Sequence, residues 1–114
     1  MTEARRALGA AGEDAAAAWY EAEGYDVVAR NWRCRDGELD LVVRRGRTLV
    51  FCEVKARSST AFGAPVEAIT HAKRTRIRHL AARFLDESPV RAGEIRFDVV
   101  SVLRGEIEVL QGTF

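Results

Sequence analysis

The chain has 114 residues, 47% of them apolar and 31% charged, with a net charge of +1; that describes one soluble globular domain with room for a single core. No apolar run approaches the ~18 residues of a membrane span, and the amino-terminal stretch lacks the apolar centre of a signal peptide. Cys34 and Cys52 suggest no disulfide framework and make no zinc spacing with His71 or His79, so a cytoplasmic protein with no membrane association is expected.

Thr2 to Glu23 is rich in alanine and nearly free of β-branched residues, which predicts a first helix. Ala4, Leu8, Ala11, Ala15, Ala18, Trp19 and Ala22 recur at helical spacing and mark its expected buried face. Gly24 supplies the stop. Gly9 and Gly12 predict either a break or a close approach to another element. Glu13 follows on a face lined by small residues, which a ligand could approach; taken alone it is an ordinary exposed glutamate.

Tyr25 to Arg33 reads as the first strand, with Val27, Val28 and Trp32 available for burial. Arg35-Asp36-Gly37 is a turn signal, and two apolar runs follow, Gly37 to Val43 and Leu49 to Lys55, predicting a β-hairpin. Arg57 to Pro65, with small residues, glycine and proline, predicts a loop. Val66 to Leu85 predicts the second helix, in one piece or two, with Thr70 as a cap for the second piece. Its expected apolar stripe is Ile69, Ala72, Ile77, Leu80, Ala81, Phe84 and Leu85, and Ser88-Pro89 ends it. Ile95 to Leu103 and Glu106 to Leu110, joined by Arg104-Gly105, predict a second hairpin. The order is α-β-β-β-α-β-β, an α/β domain over residues 1–114.

Charge is unevenly placed. From Val54 to Arg83 there are seven bases and one acid, Glu67, a local balance of +6 that leaves −5 for the remainder. Such asymmetry suggests a basic face for a polyanion, or a solvated helix face.

The central hairpin carries charge inside apolar runs: Asp40, Glu53 and Lys55. Burying an unpaired charge is costly, so these residues predict either a paired network or a working site. A two-residue turn at Arg45-Gly46 sets Asp40 diagonal to Glu53, and a four-residue turn from Arg45 to Thr48 sets them directly opposite. A three-residue loop would send them to opposite faces. Two adjacent carboxylates raise each other's pKa unless a cation lies between them. Oxygen ligands, with the Val54 carbonyl as a third, suit Mg²⁺ or Mn²⁺. Lys55, two residues beyond Glu53, could serve an attacking water or neutralise phosphate charge. The alternative is a surface hairpin with a Glu-Lys pair. Asp98 beside Arg96 reads as a structural ion pair, and Glu38 as either a supporting acid or a turn-end residue.

Gly12-Glu13, Asn31-Trp32-Arg33, Gly37-Glu38-Leu39-Asp40-Leu41, Phe51-Cys52-Glu53-Val54-Lys55-Ala56-Arg57, Lys73 and Arg96-Phe97-Asp98 together resemble the YraN-like family of small bacterial proteins, over essentially the whole chain. That family is regarded as one of predicted nucleases similar to archaeal Holliday-junction resolvases. The resemblance implies a restriction-endonuclease-like core, a mixed β-sheet flanked by helices, and the PD-(D/E)xK class of site. It assigns the metal acids to Asp40 and Glu53, with Glu13 as a further member, and the catalytic lysine to Lys55. Arg57 and Lys73 become phosphate contacts, and Arg74 and Arg76 of the basic helix join them as nucleic-acid contacts. The expected activity is Mg²⁺- or Mn²⁺-dependent hydrolysis of DNA, branched or otherwise structured, by a chain for which a homodimer would suit symmetric cutting. The rival expectation is a DNA-binding module with a decayed site.

Overall fold

The computed structural model describes residues 2–58 and 69–114. Helix α1 spans Glu3–Ala22, strands β1, β2 and β3 span Asp26–Cys34, Gly37–Arg45 and Thr48–Arg57, helix α2 spans His71–Glu87, and strands β4 and β5 span Glu94–Leu103 and Glu106–Leu110. The strands form one sheet in the order β1-β2-β3-β4-β5. Neighbours are antiparallel except β3 and β4, which run parallel. A parallel pair needs a crossover rather than a hairpin, and α2 lies in that crossover. The α/β class, the element order and the mixed sheet agree with the sequence expectation.

The two helices cover opposite faces of the sheet. On one face α1 buries Ala16, Ala17 and Tyr20 against Leu41, Val43, Val50, Cys52, Val100 and Val102. On the other, Ile77, Leu80, Ala81 and Phe84 of α2 meet Leu39, Val42, Leu49, Phe51 and Val99. Phe84 is the hub there, edge-on to Trp32 at 5.5 Å and to Phe51 at 5.8 Å. Trp19 and Trp32 both pack against these clusters, as expected. Thr70 caps α2 by accepting the Lys73 N–H, and the helix is a single piece from His71 onward. Residues 59–68, which include most of the expected loop and the first residues expected in the second helix, lie outside the described residues.

The expected buried face of α1 is only partly right: Ala15 and Trp19 pack against the core, but the face is rotated. Gly12, Ala16, Ala17 and Tyr20 are its buried residues, whereas Ala4, Ala11, Ala18 and Ala22 are exposed. A helix with alanine on every side offers no apolar contrast, so packing at two points decides its rotation. Tyr20 donates its hydroxyl to the fully buried Asp98 of β4 at 2.6 Å. Gly12 lies directly on β3: a Cβ there would stand 2.5 Å from the Ala56 Cβ. The helix therefore does not break at its glycines; it uses Gly12 for close approach. Ala72, expected in the stripe of α2, is also exposed.

Asp98 accepts from Arg96 Nε at 2.9 Å and from the Gly112 N–H at 2.9 Å as well as from Tyr20. It is the structural ion pair that the sequence suggested, with its oxygens fully engaged. Burial and the neighbouring Cys52 and Asp98 push the Tyr20 hydroxyl far above its ordinary range.

Candidate active site

The β2–β3 hairpin closes with Arg45 opposite Thr48, with Gly46 at φ +60 in the turn. This is the register of the four-residue turn, and carried forward it sets Asp40 opposite Glu53. The ladder between the two strands ends one pair earlier, at Leu41–Cys52. Beyond that point β2 keeps its pairing with β1, and β3 keeps its pairing with β4. The sheet forks. At the fork the Asp40 carboxylate replaces a backbone acceptor, taking the Val54 N–H at 2.9 Å.

The fork changes the expected arrangement in one respect. Asp40, Glu53 and Lys55 do not simply line one sheet face. Glu53 alternates with Phe51 and Leu49, which face α2. Its side chain is only 11% exposed, and its carboxylate meets two ammonium groups, Lys73 Nζ of α2 at 2.8 Å and Lys55 Nζ at 3.3 Å. Asp40 lies at the opening between the faces, where it meets Glu13 from α1. Carboxylate oxygens of Glu13, Glu38 and Asp40 come within 4.8 Å of one another.

Each acid arrives by a separate local cause. Gly12 brings α1 down onto Ala56, so Glu13, the next residue, overhangs the end of β3. Glu38 is the second residue of β2 and is held by Arg33 Nε at 3.0 Å. An Arg30–Asp14 pair at 2.6 Å ties α1 to β1 beside the same corner. Beneath α1 opens a cleft of about 610 Å³, lined by Arg5, Leu8, Gly9, Glu13, Asp40, Val54, Lys55, Ala56, Arg57 and Ser58. Acids and Lys55 form one part of its lining, and Arg5 and Arg57 another.

Burial, then the nearby Glu53, Glu13 and Glu38 charges, push the Asp40 carboxyl up to about 7, against the lowering effect of the Val54 hydrogen bond. Burial also lowers the Lys55 ammonium, assisted by its neighbour Lys73. For Lys73, burial acts downward as the largest single effect, but its hydrogen bonds to Glu53 and Lys55 and the nearby Glu53 and Asp40 charges together outweigh it, and the net direction is upward. A proton or a cation at Asp40 would relieve the crowding of negative charge.

The donor set fits a hard divalent cation. Glu13, Glu38 and Asp40 offer only oxygens, the ligands that suit Mg²⁺ or Mn²⁺. Glu53 is adjacent but committed to its two lysines. Of the other expected contacts, Arg57 lines the cleft, Lys73 is turned to Glu53, Arg74 donates to the Ile69 carbonyl at 3.3 Å, and Arg76 is exposed beside Gly37, with its Cδ 3.9 Å from where a Cβ would stand. Lys73 and Arg74 thus serve local bonds, and only Arg57 of the four shares the cleft with the acids. Sequence reasoning missed Arg5, which nothing but the rotation of α1 reveals. It left Glu38 undecided; the turn that starts β2 at Gly37 places it with Asp40 and Glu13.

The fold and site define an α/β protein with an acid- and lysine-lined cleft at a sheet fork. A protein-family model described as "Uncharacterised protein family UPF0102" matches residues 12–102. A UPF0102 protein of Beutenbergia cavernae is 62% identical over 101 residues, covering 89% of this chain and 86% of the relative. One from Frankia casuarinae is 50% identical over 116 residues, 97% and 98% of the two chains, and one from Nocardia farcinica 54% identical over 99 residues, 87% and 78%. The chain belongs to the UPF0102 family, in agreement with the YraN-like resemblance at the level of family. No helix among the described residues is long and apolar enough to cross a membrane.

Proposed function

We propose that the protein is a divalent-metal-dependent endonuclease acting on DNA phosphodiester bonds, with a restriction-endonuclease-like core and with branched or structured DNA as its substrate. The observation that carries this reading is the convergence of Glu13, Glu38 and Asp40 within 4.8 Å of one another, with Glu13 and Asp40 lining the same open cleft as Lys55. Asp40 and Glu13, with Glu38, would hold Mg²⁺ or Mn²⁺. When bound, the cation would supply charge neutralisation at phosphate and acidify water.

The chain's own groups do the rest. Lys55, with its ammonium lowered by burial, can pass a proton to or from the attacking water and neutralise developing phosphate charge. Glu53 fixes Lys55 from 3.3 Å. Arg57 and Arg5, on the same cleft, orient the DNA backbone without reading its sequence. A homodimer and a cytoplasmic location suit this role.

One observation favours a second reading, a DNA-binding module with no catalysis: Glu53 already meets two ammonium groups and so brings little free charge to a cation. Duplex, flap, fork and four-way-junction DNA, incubated with Mn²⁺ or Mg²⁺, separate the two. Metal-dependent cutting of a structured substrate, lost on Asp40→Ala, supports the nuclease. Salt-sensitive binding without cutting supports the module.

A further inference from the structure

Among the described residues two non-glycine residues adopt positive φ, Asn31 and Arg104, both at 51°. Arg104 precedes Gly105, itself at +82°, in the two-residue turn between β4 and β5, and such turns need this conformation at both positions. Asn31 has no such reason. It lies in the interior of β1, where left-handed backbone is strained and worth tracing to a local role.

The residue across from it is Asp40. Arg30 pairs with Leu41 and Trp32 with Leu39, so the same register sets Asn31 opposite Asp40. Here both strands change face. In β2, Leu41 packs in the cluster under α1, whereas Leu39, two residues away, packs in the cluster under α2. In β1, Arg30 reaches Asp14 of α1, whereas Trp32 packs on Phe84 of α2. Residues two apart normally share a face. The bulge of this strand pair lies earlier, between Val27 and Ala29, whereas Arg30–Leu41 and Trp32–Leu39 keep one register, so no residue is inserted between them; the switch occurs at Asn31 and Asp40. Asp40 is thereby freed from the alternation, and its carboxylate reaches sideways to Val54 of β3.

We propose that Asn31 is a positioning residue: its left-handed backbone sets the paired face switch that aims Asp40 into the fork, toward Val54 and Glu13. The consequence for metal binding rests on the proposed reading of Asp40 as a ligand, whereas the aiming of Asp40 does not. Asparagine is one of the few non-glycine residues that visit this conformation routinely, glycine adopts it freely, and a β-branched residue resists it. An asparagine kept only for its side chain would not be replaceable by glycine.

The test uses Asn31→Gly, Asn31→Ala and Asn31→Val in the full chain. Amide exchange at Val54 in metal-free protein reads the Asp40 hydrogen bond, and a Mn²⁺ titration reads the assembled acids. Asn31→Gly should keep both within about twofold of the unsubstituted protein. Asn31→Val should speed Val54 exchange and weaken Mn²⁺ binding by tenfold or more, while exchange at Val43, Val50 and Val100 stays unchanged; Asn31→Ala replaces it if the valine variant does not fold. Unaltered Val54 exchange in the folded valine or alanine variant overturns the proposal, as does glycine losing as much as valine. If Val54 follows the expected pattern but the unsubstituted protein binds no Mn²⁺, the positioning role stands and the metal-dependent reading falls.

Discussion

Lys73 of α2 reaches across the α2-facing side of the sheet to place its ammonium 2.8 Å from a Glu53 carboxylate oxygen. The helix cap at Thr70 sets where α2 begins, and so sets which residue meets Glu53. A residue expected from the sequence to contact phosphate is thus engaged by an acid of the site.

In Lys73→Met the buried Glu53 keeps Lys55 as its partner. Losing one charged hydrogen bond should cost about 1–3 kcal/mol in metal-free protein. Mn²⁺ should restore more stability to this variant than to the parent, because no Lys73 ammonium remains to compete for Glu53. Thermal melts with and without Mn²⁺ check both effects. An equal Mn²⁺ shift in the two proteins would separate Glu53 from the cation site.

Asp40 predicts a pH dependence of stability. Its carboxyl titrates at about 7 in the folded chain, against ~3.9 for an unperturbed aspartate. Between those values the folded protein holds a proton that the unfolded chain has released. Metal-free stability from this group should therefore fall as pH rises from about 4 to about 7. Asp40→Asn should flatten that slope, and Mn²⁺ should reverse it in the parent by replacing the proton. Denaturant midpoints across this range, with and without chelator, give the sign directly.

The two glycines of α1 should respond oppositely. Among the described residues nothing lies within 4 Å of a Cβ at Gly9, so Gly9→Ala should stabilise the helix by about 0.5–1 kcal/mol. At Gly12 a Cβ would meet Ala56 at 2.5 Å. Gly12→Ala should destabilise by about 1–3 kcal/mol through overpacking, and should also weaken Mn²⁺ binding by lifting Glu13 from the fork. Chemical denaturation paired with Mn²⁺ titration tests both substitutions.

Asp98 should be essential to the fold and not to the chemistry. Asp98→Ala strands Arg96 and the Tyr20 hydroxyl in a buried site, at a cost of about 3–5 kcal/mol. What protein remains folded at low temperature should bind Mn²⁺ like the parent. A specific loss of binding in folded Asp98→Ala would place this network in the site after all.

Much of the architecture was legible because the strands alternate and the turns carry their own chemistry: Arg35-Asp36-Gly37, Arg104-Gly105 and Ser88-Pro89 fall where elements end. The register of Asp40 against Glu53 was legible as a choice, and the Arg45–Thr48 closure settles which register holds, although the ladder itself ends at Leu41–Cys52. The rotation of α1 was not legible, because alanines at 4, 11, 18 and 22 look as buriable as those at 16 and 17. Contacts distant in sequence decide it, Gly12 on Ala56 and Tyr20 on Asp98. The fork was equally hidden. A period of two predicts continued alternation through Asp40, and the face switch at Asn31 and Asp40 interrupts it, with Asn31 at φ 51. Hence Asp40 and Glu38 meet Glu13, while Glu53 stays on the α2 face with the lysines, where a single-face hairpin had suggested one shared cluster.

The most direct measurement is Mn²⁺-dependent strand scission of a four-way-junction or fork substrate by the parent chain, Lys55→Met and Asp40→Asn, each first verified as folded. The nuclease reading predicts scission by the parent, a fall of about 10²–10⁴-fold for Lys55→Met, no detectable product for Asp40→Asn, and DNA binding retained in both variants. Scission that survives both substitutions, or a parent protein that binds these substrates and cuts none of them with either metal, would contradict it.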